Sequence, residues 1–128
     1  MQTDALVTTF FNAIAAGDIA TVERIYADDV QVWHNMSNSA QSKTENLAVL
    51  RGLSRMGGLR YEVLERLIVG NRVSQRHTLH VLLRNGAKFE IPASLFLTIE
   101  DGRITRIDEY LDSAQTNALV QAASGKSA

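Results

Sequence analysis

Apolar side chains recur at helical spacing in the first part of the chain. Between residues 4 and 16 they stand three or four positions apart, and Gly17 follows where a glycine commonly ends a helix. A second stripe with the same period begins after Asp18 and ends near Tyr26. Residues 30–34 then alternate between apolar and polar. The pattern predicts two helices followed by a short strand.

A third helix and four long strands are predicted in the rest of the chain. Ser42 and Glu45 have the spacing of a capping box, in which each side chain satisfies the backbone N–H of the other. Gly57 and Gly58 close the helix that follows. Runs rich in β-branched and other apolar residues then alternate with glycine-containing turn signals. The predicted strands are 59–69, 73–84, 87–99 and 103–112.

The order of these elements predicts an α+β fold. Four consecutive strands joined by short turns form an antiparallel meander, and the three helices must cover one of its faces. We therefore expect a cone-shaped, curved antiparallel sheet packed with three N-terminal helices around a ligand pocket. Residues 1–120 are expected to form a single domain, and the small polar residues 121–128 a flexible tail.

Composition narrows the function classes. Hydrophobic residues make up 45% of the chain and charged residues 21%, which is typical of a globular domain. The absence of cysteine excludes disulfides and thiolate chemistry. A net charge of -1 gives no basic surface for nucleic acid. No apolar run has the length of a membrane span, and Asp4 stands where a signal peptide carries basic residues, so we expect a cytoplasmic protein without a membrane partner.

Strand phase leaves two orientations open for the predicted strand 73–84. One face carries Arg76, Thr78, His80 and Leu82, and the alternate positions carry a more apolar set. Burial of the apolar set would leave Arg76 and His80 in water, whereas a polar cavity would accept them. In the last strand, Glu109 shares a face with apolar neighbours and therefore needs a partner. Arg76 has the charge and the forked geometry for that pairing.

A second cluster of chemically capable residues ends the strand 30–34. His34 is in phase with two valines and should point inward, next to Trp33 and Asn35. His34 and His80 can exchange protons near neutral pH, and Asn35 can orient a water. The histidines and Glu109 are scattered rather than spaced as metal ligands, so no metal and no cofactor is expected.

The chain resembles the nuclear transport factor 2-like superfamily, which includes ketosteroid isomerases, SnoaL-like polyketide cyclases and limonene-1,2-epoxide hydrolases. The resemblance is carried by three segments that together span most of the chain. These are FFNAIAAGD (10–18), IYADDV (25–30) and DGRITRIDEYLD (101–112). Because this fold hosts many activities, the resemblance is more specific for fold than for function.

Similarity to the epoxide hydrolases implies part of a catalytic set. In WHNM (33–36), Asn35 matches the Asn that holds the attacking water, and Trp33 replaces a Tyr. The family's Arg-x-Asp on a strand corresponds to RHT (76–78), so Arg76 matches and Thr78 stands where the general acid should be. Glu109 takes the place of the general base. His80 could supply the acid that Thr78 cannot.

Similarity to the ketosteroid isomerases implies other correspondences. Their general base aligns with His34, their oxyanion-hole Tyr with Phe10, and their protonated Asp with Ser94. The two family comparisons agree in placing the same polar set, Arg76 and His80 included, on the cavity side. The expected catalytic residues are Glu109, Arg76, His34, Asn35 and His80, and the expected substrate-binding residues are Trp33, Thr78, Ser94, Phe10, Leu82 and Ile107.

Three classes of function follow from this set. The first is an enzyme that uses acid/base chemistry on a small, apolar molecule, by epoxide opening, isomerisation or cyclisation. The second is non-catalytic binding of a hydrophobic metabolite, which the missing acid favours. The third is a dimerisation domain whose pocket is filled by side chains such as Trp33. A homodimer is expected, and the resemblance implies that it pairs through the convex face of the sheet.

Overall fold

The computed structural model describes residues 2–124, which form four helices and six strands. Two helices are followed by two strands, and a third helix is followed by four consecutive strands and a last helix. In chain order the elements are α1 (Thr3–Ala16), α2 (Ile19–Ile25), β1 (Tyr26–His34), β2 (Ser39–Gln41), α3 (Lys43–Met56), β3 (Gly57–Val69), β4 (Arg72–Leu83), β5 (Lys88–Glu100), β6 (Arg103–Leu111) and α4 (Ser113–Ala123).

The helix ends follow from local chemistry. Gly17 ends α1 in the left-handed conformation at φ 71°, where its backbone N–H bonds carbonyls of the last turn. The Asp18 carboxylate accepts the backbone N–H of Thr21 and so begins α2. The capping box predicted between Ser42 and Glu45 is present at the start of α3.

The strands form one curved, unclosed, mixed sheet in the order β2-β1-β6-β5-β4-β3. The predicted antiparallel meander of β3 to β6 is confirmed. The sheet is not wholly antiparallel, because β1 pairs in parallel with β6. The short strand β2, which extends the edge beside β1, was not predicted. The parallel pair places the end of β1 directly beside the second half of β6.

The helices pack on one face of the sheet, as expected. Alternate residues of β4 and β5 point toward them and are buried, whereas the residues between them are at least partly exposed. The main core joins α1, α2 and α3 to the inner sheet face. Its most deeply buried members are Val7, Phe10, Val22, Tyr26, Leu97 and Ile104.

Helix α4 was not predicted. Asp112 caps its first turn by accepting the backbone N–H groups of Ala114 and Gln115. The helix continues to Ala123, so the expected boundary at residue 120 falls inside it. The rest of the expected tail, 125–128, lies outside the described residues. No helix within 2–124 has the length and hydropathy of a membrane span.

Candidate functional site

A cavity of about 300 Å³ lies between the inner face of the sheet and helices α1, α3 and α4. This volume is at the lower end of the range of about 300 to 1,000 Å³ that is typical of small-molecule pockets. Most of its wall is apolar. The polar side chains that reach it are Tyr26, His34, Asn46, Tyr61, His77, Glu109 and Thr116.

The Glu109 and His34 side chains are within hydrogen-bonding distance on the cavity wall. His34 lies opposite Glu109 in the register of the parallel strands β1 and β6. The Nε2 atom of His34 is 3.0 Å from Oε1 of Glu109, and the two side chains are 17% and 19% exposed. The contact holds one carboxylate oxygen in place and leaves the other available to a molecule in the cavity.

Two tyrosines bring hydroxyl groups to the same wall. The Tyr26 hydroxyl donates to Oδ1 of Asn46 at 2.7 Å, and the Asn46 amide donates to Oε1 of Gln41 at 2.9 Å. Burial raises the pKa of both the Tyr26 and Tyr61 hydroxyls far above the ordinary value, and the negative charge of Glu109 adds to the effect. Both tyrosines are therefore neutral hydrogen-bonding groups at any ordinary pH.

His77 is the second imidazole of the cavity. It is 2% exposed to solvent and its ring contacts the ring edges of Phe11 and Tyr61. Its Nδ1 atom lies 3.0 Å from the side-chain nitrogen of Gln75. Burial lowers the pKa of His77, and the charge of Glu109 opposes that shift only in part. His77 is therefore neutral at pH 7.

Four of the residues expected at the site lie on the cavity wall. Glu109 and His34 do so as a pair, and Phe10 and Ile107 contribute apolar surface. The inward direction of His34, predicted from its phase with the two buried valines of β1, is confirmed. The catalytic and substrate-binding roles assigned to these four residues stay predictions.

The expected inward placement of Arg76 and His80 is wrong. Arg76 lies on the outer face of β4, where its Nε atom is 3.4 Å from Oε1 of Glu65, so it does not bridge Glu109. His80 lies on the same outer face with Nε2 2.8 Å from Oε1 of Glu62. The reason is strand phase: the more apolar alternate set of β4 is buried, and a shift of one residue moves every side chain to the other face.

Thr78, Ser94 and Leu82 were misplaced for the same reason. Thr78 and Leu82 share the outer face of β4 with Arg76, and Leu82 is 48% exposed. Ser94 lies opposite Arg76 in the register of β4 and β5 and therefore points outward too. None of these three side chains reaches the cavity.

Trp33 and Asn35 are also not part of the cavity wall. The Trp33 ring packs edge-on against Tyr110 on the outer face, with ring centroids 5.1 Å apart. The Asn35 side chain is engaged with the backbone of Leu111, accepting its N–H at 2.9 Å and donating to its carbonyl at 3.3 Å. Asn35 thus ties the end of β1 to the end of β6 and is not positioned as a water-holding group.

Sequence reasoning missed five polar residues of the wall, namely Tyr26, Asn46, Tyr61, His77 and Thr116. Tyr26 was predicted inside a helix, although it begins β1, and Asn46 and Tyr61 carried no motif. His77 belongs to the more apolar set of β4, so the alternation alone would have turned it inward.

Among residues 2–124, no group of three or more histidine, aspartate or glutamate side chains is arranged to hold a metal ion. His34 and Glu109 meet on the wall, whereas His80 stands on the opposite face of the sheet with Glu62.

The chain belongs to the SnoaL-like domain family, whose sequence profile matches residues 7–107. Comparison with curated proteins gives no match. The predicted membership of the nuclear transport factor 2-like fold is confirmed by both the family and the structural neighbours.

Several solved structures share the fold at low sequence identity. IdmH from Streptomyces antibioticus, a proposed polyketide cyclase, superposes with a TM-score of 0.81 at 16% identity over 94% of this chain and 99% of its own. An LEH-like epoxide hydrolase from M. tuberculosis gives 0.75 at 20% identity over 93% and 89%. A protein with a ketosteroid isomerase-like fold from Catenulispora acidiphila gives 0.78 at 15% identity over 98% and 96%.

Proposed function

We propose that this protein is an enzyme that transfers a proton within a small, largely apolar substrate, with Glu109 as the general base. The observation that carries the proposal is the Glu109–His34 contact on the wall of an otherwise apolar cavity. Burial of a carboxylate among apolar side chains is energetically unfavourable unless the carboxylate is hydrogen-bonded or paired. Here one oxygen has a partner and the other can face the ligand.

The surrounding groups fit a proton-transfer reaction. His34 orients the carboxylate and stabilises its charge before the reaction. The neutral hydroxyl of Tyr61 and the Tyr26–Asn46 pair supply polar contacts that carry no charge of their own. Apolar side chains from α1, α3 and α4 line the same space, and an apolar wall strengthens each electrostatic contact beside it.

Isomerisation and cyclisation fit better than opening of an epoxide by water. Both of the first two begin by removal of a proton from carbon, which needs a base and a neutral hydrogen-bond donor. Epoxide hydrolysis also needs a held water, and the Asn35 amide proposed for that role is engaged with Leu111. The neighbours named as a proposed polyketide cyclase and as a ketosteroid isomerase-like fold support the first two classes.

Turnover of a substrate panel tests this proposal. The panel holds β,γ-unsaturated ketones, linear polyketone precursors of ring closure and small epoxides, each assayed with wild-type protein and with Glu109→Gln. We expect turnover of a ketone class that falls by roughly 100-fold or more in Glu109→Gln, because loss of a general base costs about 10²- to 10⁴-fold. Glu90→Gln, on an exposed outer position of β5, is the matched control. Equal rates in wild type and Glu109→Gln would sink the proposal.

Non-catalytic binding of a hydrophobic metabolite is the second candidate. The predominance of apolar side chains around the cavity favours it. Binding without chemistry predicts that a bound ligand is recovered unchanged and that Glu109→Gln keeps its affinity. The Trp33 side chain does not fill the cavity, because it packs on the outer face, and this removes the main argument for a purely structural domain.

We also propose that two copies of the chain pair through the outer face of the sheet. Phe96 and Tyr110 present apolar surface there and are 41% and 49% exposed. Phe96 and Tyr110 contact each other edge-on at 6.4 Å, which extends the patch beyond a single side chain. Contiguous apolar surface of this kind is a common feature of subunit interfaces.

A further inference from the structure

A chain of hydrogen bonds runs from the protein surface to the cavity through Arg66, Gln75 and His77. Arg66 lies opposite Gln75 in the register of β3 and β4, and its Nε donates to Oε1 of Gln75 at 2.8 Å. The same guanidinium bonds Oδ1 of Asp4 at 2.8 Å and Oγ1 of Thr8 at 2.7 Å. These contacts with α1 hold Arg66 in a single orientation.

The fixed guanidinium determines the orientation of the Gln75 amide. A guanidinium has only donors, so the group that faces it must be the carbonyl oxygen of Gln75. The amide nitrogen of Gln75 then faces Nδ1 of His77, 3.0 Å away. That nitrogen also only donates, so Nδ1 of His77 must be the acceptor. A neutral imidazole with an accepting Nδ1 carries its proton on Nε2.

The Nε2 atom of His77 is available to a ligand. Within residues 2–124, no fully buried side-chain nitrogen or oxygen lacks a hydrogen-bond partner, and Nε2 has no partner in the protein. The atom is therefore exposed to the cavity, whose wall includes His77. The rings of Phe11 and Tyr61 contact the imidazole at centroid distances of 5.3 and 5.0 Å and hold it from two sides.

We propose that the Nε2–H of His77 is a fixed hydrogen-bond donor that binds the carbonyl oxygen of a neutral ketone-type substrate. The inference deepens the proposed function, because it names the group that receives the developing negative charge when Glu109 removes a proton. Arg66 and Gln75 are positioning residues, since they set which nitrogen of His77 carries the proton. A neutral ligand is required because, among residues 2–124, no lysine or arginine lines the cavity, whereas Glu109 does.

The reaction balances without any further reactant. Glu109 takes the proton from the carbon next to the carbonyl, and the electron pair of that C–H bond forms the new carbon–carbon double bond. The π pair of the carbonyl moves to oxygen, where the Nε2–H of His77 stabilises the resulting enolate. In isomerisation, Glu109 returns the proton to another carbon of the conjugated enolate and the carbonyl forms again. In ring closure, the enolate carbon attacks a second carbonyl, whose π pair moves to its oxygen, and Glu109 returns the proton to that oxygen.

The tautomer is measured directly by long-range ¹H–¹⁵N NMR on histidine-labelled protein. At about pH 8.5, where an imidazole is neutral, wild type is expected to show a protonated Nε2 and an unprotonated Nδ1 for His77. In Gln75→Glu the new carboxylate still accepts from Arg66 but cannot donate, so the proton should move to Nδ1. Thr78→Val, on the outer face of the same strand, should leave the spectrum of His77 unchanged. A wild-type His77 protonated on Nδ1 overturns the inference.

A pair of ligands of equal shape tests the bond to the substrate. Cyclohexanone offers an accepting oxygen and methylenecyclohexane does not, so the ratio of their affinities isolates the hydrogen bond. We expect cyclohexanone at saturating concentration to shift the Nε2–H resonance. The affinity ratio should fall by about two- to tenfold in His77→Leu and in Gln75→Glu, which is the size of one neutral hydrogen bond. An unshifted resonance, or a ratio that stays constant in both variants, contradicts the inference.

The two proposals fail separately. If His77 binds the ketone as described but no substrate is turned over, the donor assignment stands and the enzymatic function is wrong. If turnover depends on Glu109 but the ratio of the two affinities is unchanged in both variants, the enzymatic function stands and the hydrogen-bond donor is another group.

Discussion

The Nε2 atom of His34 and the Oε1 atom of Glu109 lie 3.0 Å apart on the cavity wall, at directly paired positions of two parallel strands. This contact depends on the one parallel pairing of the sheet within residues 2–124, because only that pairing brings the end of β1 beside Glu109. Asn35 then fastens the end of β1 to the backbone of Leu111. The backbone thus sets the relative position of the two side chains.

Removal of His34 should therefore leave Glu109 without its partner. We expect His34→Ala to lower the free energy of unfolding by about 1 to 3 kcal/mol, the cost of a partly buried acceptor that loses its hydrogen bond. His80→Ala breaks a similar histidine–glutamate contact on the outer face, where the loss should be under about 1 kcal/mol. Urea denaturation of the two variants measures the difference. Equal losses of unfolding free energy would mean that the His34 contact contributes no more to stability than the exposed His80 contact does.

Gly57 and Gly58 give a second matched pair, at the junction of α3 and β3. A Cβ atom on Gly57 would lie 2.0 Å from the backbone oxygen of Leu82, whereas one on Gly58 would lie 4.0 Å from the Leu82 side chain. Gly57→Ala should destabilise the protein by about 2 kcal/mol or more, because backbone must move. Gly58→Ala should be near neutral. Thermal unfolding of both variants measures the two effects. An unfolding temperature of Gly57→Ala equal to that of wild type would show that the backbone at this junction can relax.

His77 should make stability dependent on pH. Burial lowers its pKa in the folded state, so below its ordinary pKa of about 6.5 the unfolded chain binds a proton that the folded chain resists. Stability should consequently fall as the pH drops from 7 toward 5, by at most about 1.4 kcal/mol per pH unit from this one group. Glu109, Arg66 and Tyr61 are the charged or titratable groups near it.

The His77→Leu variant isolates that contribution. Because leucine does not titrate, the variant should lose less stability than wild type over the same pH interval, whatever its stability at pH 7. Urea denaturation at several pH values gives the two slopes. Parallel slopes would mean that His77 is not held neutral by its surroundings.

Association through the outer face is tested with one added charge. Phe96→Asp places a carboxylate in the exposed patch beside Tyr110 and should yield a monomer if two copies pair there. Thr44→Asp, in the first turn of α3 on the helical side, adds the same charge and should leave the mass unchanged. Sedimentation at micromolar concentration gives the molecular masses of wild type and of both variants. A wild-type monomer would rule the dimer out.

Much of the fold could be predicted because its signals are local. The capping box of α3, the glycine after α1 and the two-residue turns each specify their own geometry, and four consecutive strands leave few arrangements besides a meander. Helix α4 escaped prediction because Leu119 is its only buried residue, so its sequence shows no apolar stripe. The parallel pairing of β1 and β6 could not be predicted because it joins distant segments.

The candidate site was predicted only in part, because the wrong face of β4 was expected to point into the cavity. The apolar alternation of β4 turns His77 inward, but the similarity of RHT (76–78) to a family motif favoured the opposite phase. Arg76 and His80 were therefore expected in the cavity and stand outside it with Glu65 and Glu62. On strands, burial of the apolar set is the stronger constraint, since a one-residue shift exposes the whole face.

Exchange of carbon-bound hydrogen with solvent tests the central claim most directly, because it follows the proton that Glu109 is proposed to remove. A panel of small apolar ketones is incubated in D₂O with wild type, Glu109→Gln and Glu90→Gln, and deuterium uptake next to the carbonyl is measured by NMR. We predict uptake well above the protein-free rate with wild type and Glu90→Gln, and a rate lower by roughly 100-fold or more with Glu109→Gln. Equal uptake with wild type and Glu109→Gln would contradict the assignment of Glu109 as the base.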